Sequence, residues 1–152
     1  MGLNIKDLRI TSPAFVNDGR LADQYTMDLG NVAPPLTIRG VPKEAVELAL
    51  ICHDPDAPLP QGYTHWVLYG IPPTTTDLGS DADKKFRPAP NSNGNARYDG
   101  PAPPPGHGRH HYYFWLYVLN KPVTDTPTRA EFLEKYADSI VEQNRIVGVF
   151  DR

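Results

Sequence analysis

Three runs of apolar and aromatic residues constrain this chain more than anything else in it: 45–53, 65–71 and 111–119. Successive side chains of a strand point to opposite faces, so a run that is apolar at every position buries both faces. The second half of the first run (Leu48-Ala49-Leu50-Ile51-Cys52) and all of the other two have this character. They predict central strands of a sheet covered on each side, by a second sheet or by other elements.

The ends of these runs carry polar groups. Asp54 follows the first, His65 opens the second and His110 stands just before the third. In antiparallel neighbours the end of one strand lies beside the start of the next. If the runs are neighbours, a carboxylate and two imidazoles share one corner of the sheet rim. In Asp54-Pro55-Asp56-Ala57-Pro58 the two prolines stiffen the turn that aims Asp54. One aspartate can orient an imidazole while the other satisfies local backbone. The plainer alternatives are an Asx-turn for the aspartates and satisfied core histidines for His65 and His110. Alternation turns His53 and His111 to the opposite face, and His107, flanked by glycines, reads as solvated. Tyr112 shares a strand face with His110, so its hydroxyl is a further candidate donor. Tyr98 is a candidate wall or lid; ordinary aromatic packing is the alternative for both tyrosines. In the stretch from Gly100 to Gly108 a glycine amide near Gly100 is a candidate anion donor. A simple connector, or a polyproline ligand for a partner domain, is the competing reading.

Elsewhere the pattern is coarser. Short apolar pieces in 7–29 predict short strands with turns at Ser12-Pro13 and Asp18-Gly19. Leu36-Thr37-Ile38 predicts another. Residues 80–97 read as one long loop, a binding segment or a solvated excursion. Thr128-Arg129-Ala130-Glu131 has capping-box form after Pro127, and Phe132, Leu133, Tyr136, Ala137, Ile140 and Val141 continue at helical spacing. Residues 145–150 predict a last strand. The 17 prolines fall between strand-like runs, as rigid connections of a β-rich fold would.

The whole of 1–152 is read as one domain. A net charge of −3 without a basic stripe argues against nucleic acid as a partner. No apolar run reaches the roughly 20 residues of a membrane span. The start at Met1-Gly2 lacks the pattern of a signal peptide, and Lys6 breaks a myristoylation motif. A single cysteine, Cys52, fits a reducing cytoplasm and reads as a buried, inert thiol. A metal triad of Asp54, His65 and His110 lacks any close-spaced ligand pair, so neither metal nor cofactor is expected. No serine sits in a nucleophile elbow, and no glycine-rich loop precedes a helix.

Taken in order, Asp54-Pro55-Asp56-Ala57-Pro58, His65-Trp66-Val67, Tyr98-Asp99-Gly100-Pro101-Ala102-Pro103-Pro104-Pro105-Gly106 and His110-His111-Tyr112-Tyr113-Phe114 resemble the phosphatidylethanolamine-binding protein family, also called the Raf kinase inhibitor protein family, in its bacterial and archaeal form. The stretch from Asn31 to Leu36 resembles that family's N-x-S-P-P-L segment, and Ile146 to Arg152 its closing strand. The resemblance implies a mainly β fold, a large antiparallel sheet packed with a smaller one, and a peripheral helix near the C-terminus. It implies a rim pocket for a small anionic ligand, a phosphoryl or carboxylate group, with Asp54, His65, Pro104, His110 and Tyr112 at matching positions. It also implies a cis peptide, for which Ala57–Pro58 is the candidate, and a homodimer as one arrangement. Three departures stand out: Ala33 for serine, His111 for arginine, and Pro101-Ala102 where relatives have smaller residues or glycine. The first two remove a hydroxyl and a fixed positive charge.

The leading expectation is therefore a ligand-binding protein whose site is formed by Asp54, His65, Tyr98, Gly100, Pro104, His110 and Tyr112, with the anion accepting from His65, His110, Tyr112 and loop amides near Gly100 while Asp54 orients an imidazole. The alternatives are a metal-independent acid–base enzyme using Asp54, His65 and His110 as catalytic residues, and an inhibitor of a kinase or protease partner.

Overall fold

The computed structural model describes residues 6–152; the reading of Met1-Gly2 lies outside them. The strands are β1 (Arg9–Thr11), β2 (Gly19–Arg20), β3 (Leu36–Arg39), β4 (Glu47–Asp54), β5 (Tyr63–Ile71), β6 (Asp77–Leu78), β7 (Arg87–Ala89), β8 (His110–Leu119) and β9 (Ile140–Phe150), with short helices α1 (Ala82–Lys85) and α2 (Arg129–Lys135). The large sheet has the order β2-β9-β8-β4-β5-β7 and the small one β1-β3-β6. The large sheet is antiparallel except where β2 joins β9 in parallel at one edge.

The three apolar runs are the inner strands, with β4 paired to β5 on one side and β8 on the other. Leu48, Leu50, Cys52, Trp66, Leu68, Phe114, Leu116 and Val118 face the small sheet and meet its Ile10, Leu36, Ile38 and Leu78. Ala49, Ile51, Val67, Tyr69, Tyr117 and Leu119 face the other way and are covered by Phe132 and Tyr136 from the α2 region. The layers are thus small sheet, large sheet and helix. Each large side chain buried in this way stabilises by about 1.5–3 kcal/mol before chain entropy is counted. Cys52 is fully buried, and burial followed by the nearby Asp54 charge pushes its thiol pKa well up.

Several local expectations need correction. Within 7–29 only β1 and β2 are strands; Asp23–Tyr25 is a 3-10 turn, and Val16 and Leu29 are exposed. The pieces are too short to carry a full ladder. Residues 80–97 are not one loop: α1 and β7 occupy the first half, and β7 is an edge strand, which tolerates Pro88. The capping box at Thr128 and Glu131 forms, but α2 ends at Lys135. Ile140 and Val141 belong to β9, where pairing with β8 overrides their helical spacing. Among the described residues every peptide bond is trans, including Ala57–Pro58. That turn closes instead through Leu59 N–H to the Ala57 carbonyl, Gly62 N–H to the Leu59 carbonyl, and a left-handed Gly62 at φ 69°.

Candidate functional site

The C-terminal end of β4 lies between the starts of β5 and β8, and a cavity of about 450 Å³ opens there. Asp54, His65, Gly100, Pro104, His110 and Tyr112 all line it, with Met27, Leu59 and Pro103 among its apolar neighbours. Asp54 and His110 face the cavity side by ordinary alternation from Cys52 and Phe114. His65 does not. The pairing shifts from Cys52↔Trp66 to His53↔Thr64, so β5 carries one extra residue, His65. This bulge turns His65 and Trp66 to the same side. Without it, alternation from Trp66 would send His65 to the helix-covered face.

Asp54 is 2 % exposed, and His110 is 4 % exposed. His110 Nδ1 donates to Asp54 Oδ2 at 2.6 Å, while Asp54 Oδ1 accepts the Asp56 N–H at 2.7 Å. The orienting and Asx-turn readings of this aspartate therefore both hold. Asp56 accepts the His111 N–H and lies 2.7 Å from its Nδ1, which ties the turn to β8. His53 points to the opposite face as expected, with Nδ1 3.0 Å from Thr64 Oγ1. Burial, then the Arg129 charge, lowers its pKa to about 4. His107 is exposed but not free: its Nδ1 lies 2.8 Å from His110 Nε2.

His65 Nδ1 donates to the Asp99 carbonyl at 2.7 Å, which fixes its tautomer and leaves Nε2 without a hydrogen bond to any of the described residues. Burial lowers its pKa, against the opposing pull of the Asp99 and Gly100 carbonyls and the Asp54 and Asp99 charges. The ring is neutral at pH 7, so Nε2 presents a lone pair. Tyr112 packs edge-on to His65 at 5.2 Å, and its hydroxyl has no partner among the described residues. Burial and the Asp54 charge push its pKa far up, so it remains an O–H donor.

The wall beside His65 is organised by Asp99, a residue the sequence reading did not single out. Its carboxylate is 1 % exposed as a residue and accepts from Asn31, Asn91 and Asn95 amides and from Arg97 Nε, at 2.9–3.2 Å. Burial alone would raise its pKa, but these four donors together hold it below the ordinary value. Asn31 adopts φ 55° and uses its Oδ1 to accept the Gly100 N–H at 2.7 Å. The Gly100 amide is therefore committed and is not an anion donor. Glycine is required there for another reason: a Cβ would stand 2.0 Å from the Tyr25 carbonyl oxygen. Tyr98 is also placed differently from expectation. It is buried and does not line the cavity, standing edge-on to Trp66 at 5.4 Å with its hydroxyl donating to the Tyr25 carbonyl at 2.6 Å. Ala33 packs in the core. Of the 80–97 segment, Asn93 reaches the cavity. No cluster of three or more His, Cys, Asp or Glu side chains suited to a metal occurs among the described residues.

The chain matches known proteins over nearly its whole length. The family model described as phosphatidylethanolamine-binding protein matches residues 11–151. The chain is 36 % identical to a UPF0098 protein of Methanothermobacter thermautotrophicus, covering 95 % of this chain and 99 % of that one. It is 40 % identical to a Mycobacterium tuberculosis protein named "Putative lipoprotein LppC", over 95 % of this chain and 72 % of the relative. Among solved structures it is similar to the phosphatidylethanolamine-binding protein homologue CT736 of Chlamydia trachomatis, with TM-score 0.88, 28 % identity, and coverage of 95 % and 97 %. It is equally similar to Escherichia coli YbcL, at TM-score 0.88, 26 % identity, and coverage of 97 % and 99 %. The chain belongs to the phosphatidylethanolamine-binding protein family. Among the described residues no helix is long and apolar enough to cross a membrane.

Proposed function

We propose that the rim cavity binds the anionic end, phosphoryl or carboxylate, of a small molecule. One observation carries this reading: the Tyr112 hydroxyl and His65 Nε2, on two buried side chains, have no hydrogen-bond partner among the described residues, and both residues line the same cavity as His110, whose ring is backed by Asp54. Charge-assisted bonds to an oxyanion in the cavity are the strong way to engage such groups. An anion beside His65 would raise that ring's depressed pKa. Binding therefore takes up protons, and affinity rises as pH falls. Met27, Leu59 and Pro103 leave room for an apolar body behind the charged end. Calorimetric titration of inorganic phosphate and acetate at pH 5.5 and 8, with wild type and Tyr112→Phe, tests the reading. Tighter binding at pH 5.5 and a loss of about fivefold in the variant are expected, one net hydrogen bond being about 1 kcal/mol. Equal affinity at both pH values and in both proteins would overturn it.

The Asp54–His110 contact also favours a second reading, acid–base chemistry on a small molecule without a metal. A substrate-panel screen in which Asp54→Asn abolishes a turnover seen with wild type would support it; a panel with no turnover would remove it.

A further inference from the structure

His110 has no nitrogen to spare. Nδ1 is held by Asp54 at 2.6 Å, and Nε2 faces Nδ1 of His107 at 2.8 Å. If an anion is to be gripped by His110, something must leave, and the buried carboxylate is the less movable partner. His107 is exposed, does not line the cavity, and sits between Gly106 and Gly108, both left-handed at φ 75° and 92° with open space around them. Its backbone is anchored independently of the ring: its own N–H donates to the Pro104 carbonyl, and the Gly106 N–H donates to the Arg152 carbonyl. A change of side-chain rotamer alone can release the contact, with no rearrangement of the loop.

We propose that His107 is an additional member of the anion site: it occupies the ligand-facing nitrogen of His110 while the cavity is empty and is displaced by the incoming anion. The proposal rests on the anion-binding reading above and names how that site is kept closed. An internal hydrogen-bond partner at His110 Nε2 keeps the buried imidazole satisfied in the empty protein, where it would otherwise lack one. The same contact competes with the ligand, so it sets the affinity threshold. A compensating arrangement, in which His107 stays on His110 and the anion rests only on Tyr112 and His65, would leave the His107–His110 contact intact on binding.

The two arrangements are separated by nuclear magnetic resonance on full-length protein labelled with nitrogen-15 in histidine. A scalar coupling across the N–H···N bond between His107 and His110 is expected in the empty protein. Saturating inorganic phosphate should abolish it. In parallel, His107→Ala should bind phosphate about fivefold more tightly than wild type, the equivalent of one net hydrogen bond released from competition. A coupling that persists at saturation, or a His107→Ala protein that binds equally or more weakly, overturns the proposal while the anion reading stands. Absence of phosphate binding by both proteins sinks the anion reading and this proposal together.

Discussion

Replacing Asp99 by asparagine keeps shape and volume but removes one acceptor and the charge. The carboxylate takes two donors on each oxygen: Asn31 Nδ2 and Arg97 Nε on Oδ1, Asn91 Nδ2 and Asn95 Nδ2 on Oδ2. An asparagine side chain has one oxygen, so whichever way it turns, two donors meet an NH2 group. Bonds to a charged group contribute about 1.5–3 kcal/mol each; with Arg97 partly solvated, two lost bonds near the lower end cost about 3–4 kcal/mol. For a slope near 2 kcal/mol/M this lowers the urea midpoint by about 1.5–2 M. Equilibrium unfolding followed by tryptophan fluorescence measures it. The cost should also vanish in acid. The wild-type carboxyl is held below its ordinary value of 3.8, so its contribution is present above that value and is lost as pH falls through the lower, folded value. A midpoint drop below about 0.5 M at pH 7 would refute the view that Asp99 is the hub of the cavity wall.

Tyr98→Phe removes the buried bond to the Tyr25 carbonyl and should cost about 1–2 kcal/mol in the same unfolding assay. Phosphate affinity should not change, because Tyr98 does not line the cavity; an affinity loss would restore it as a contact. His53 has a folded pKa of about 4, below its ordinary value of 6.5, so the unfolded chain binds the extra proton between these values. Wild type should be fully stabilised by this group above pH 6.5 and lose stability as pH falls toward 4. His53→Gln should show a shallower decline over that interval in thermal melts, and an unchanged slope would contradict the assignment.

Much of the fold was legible because burial on both faces leaves a plain mark in sequence. The runs that became β4, β5 and β8 could only be inner strands, and their polar ends gave the rim position of Asp54 and His110. The capping box at Thr128 was equally local and equally readable. What could not be read depends on long-range pairing. The extra residue at His65 appears only when β5 is laid against β4. The Asp99 hub draws on Asn31, Asn91, Asn95 and Arg97, and the distant Asn31 is joined by folding alone. Gly100 kept its place in the cavity wall but lost its expected role, because its N–H is spent on Asn31. The end of α2 was misjudged for a related reason, since sheet pairing with β8 claims Ile140 and Val141.

The account turns on an anion meeting two groups that no described residue hydrogen-bonds, at the β4–β5–β8 corner. Crystals soaked in phosphate near pH 5.5 test this directly. The expected map shows a phosphate with one oxygen within hydrogen-bonding distance of the Tyr112 hydroxyl and another of His65 Nε2. A well-diffracting crystal with phosphate bound only elsewhere, or with water alone in the cavity at saturating phosphate, would contradict it.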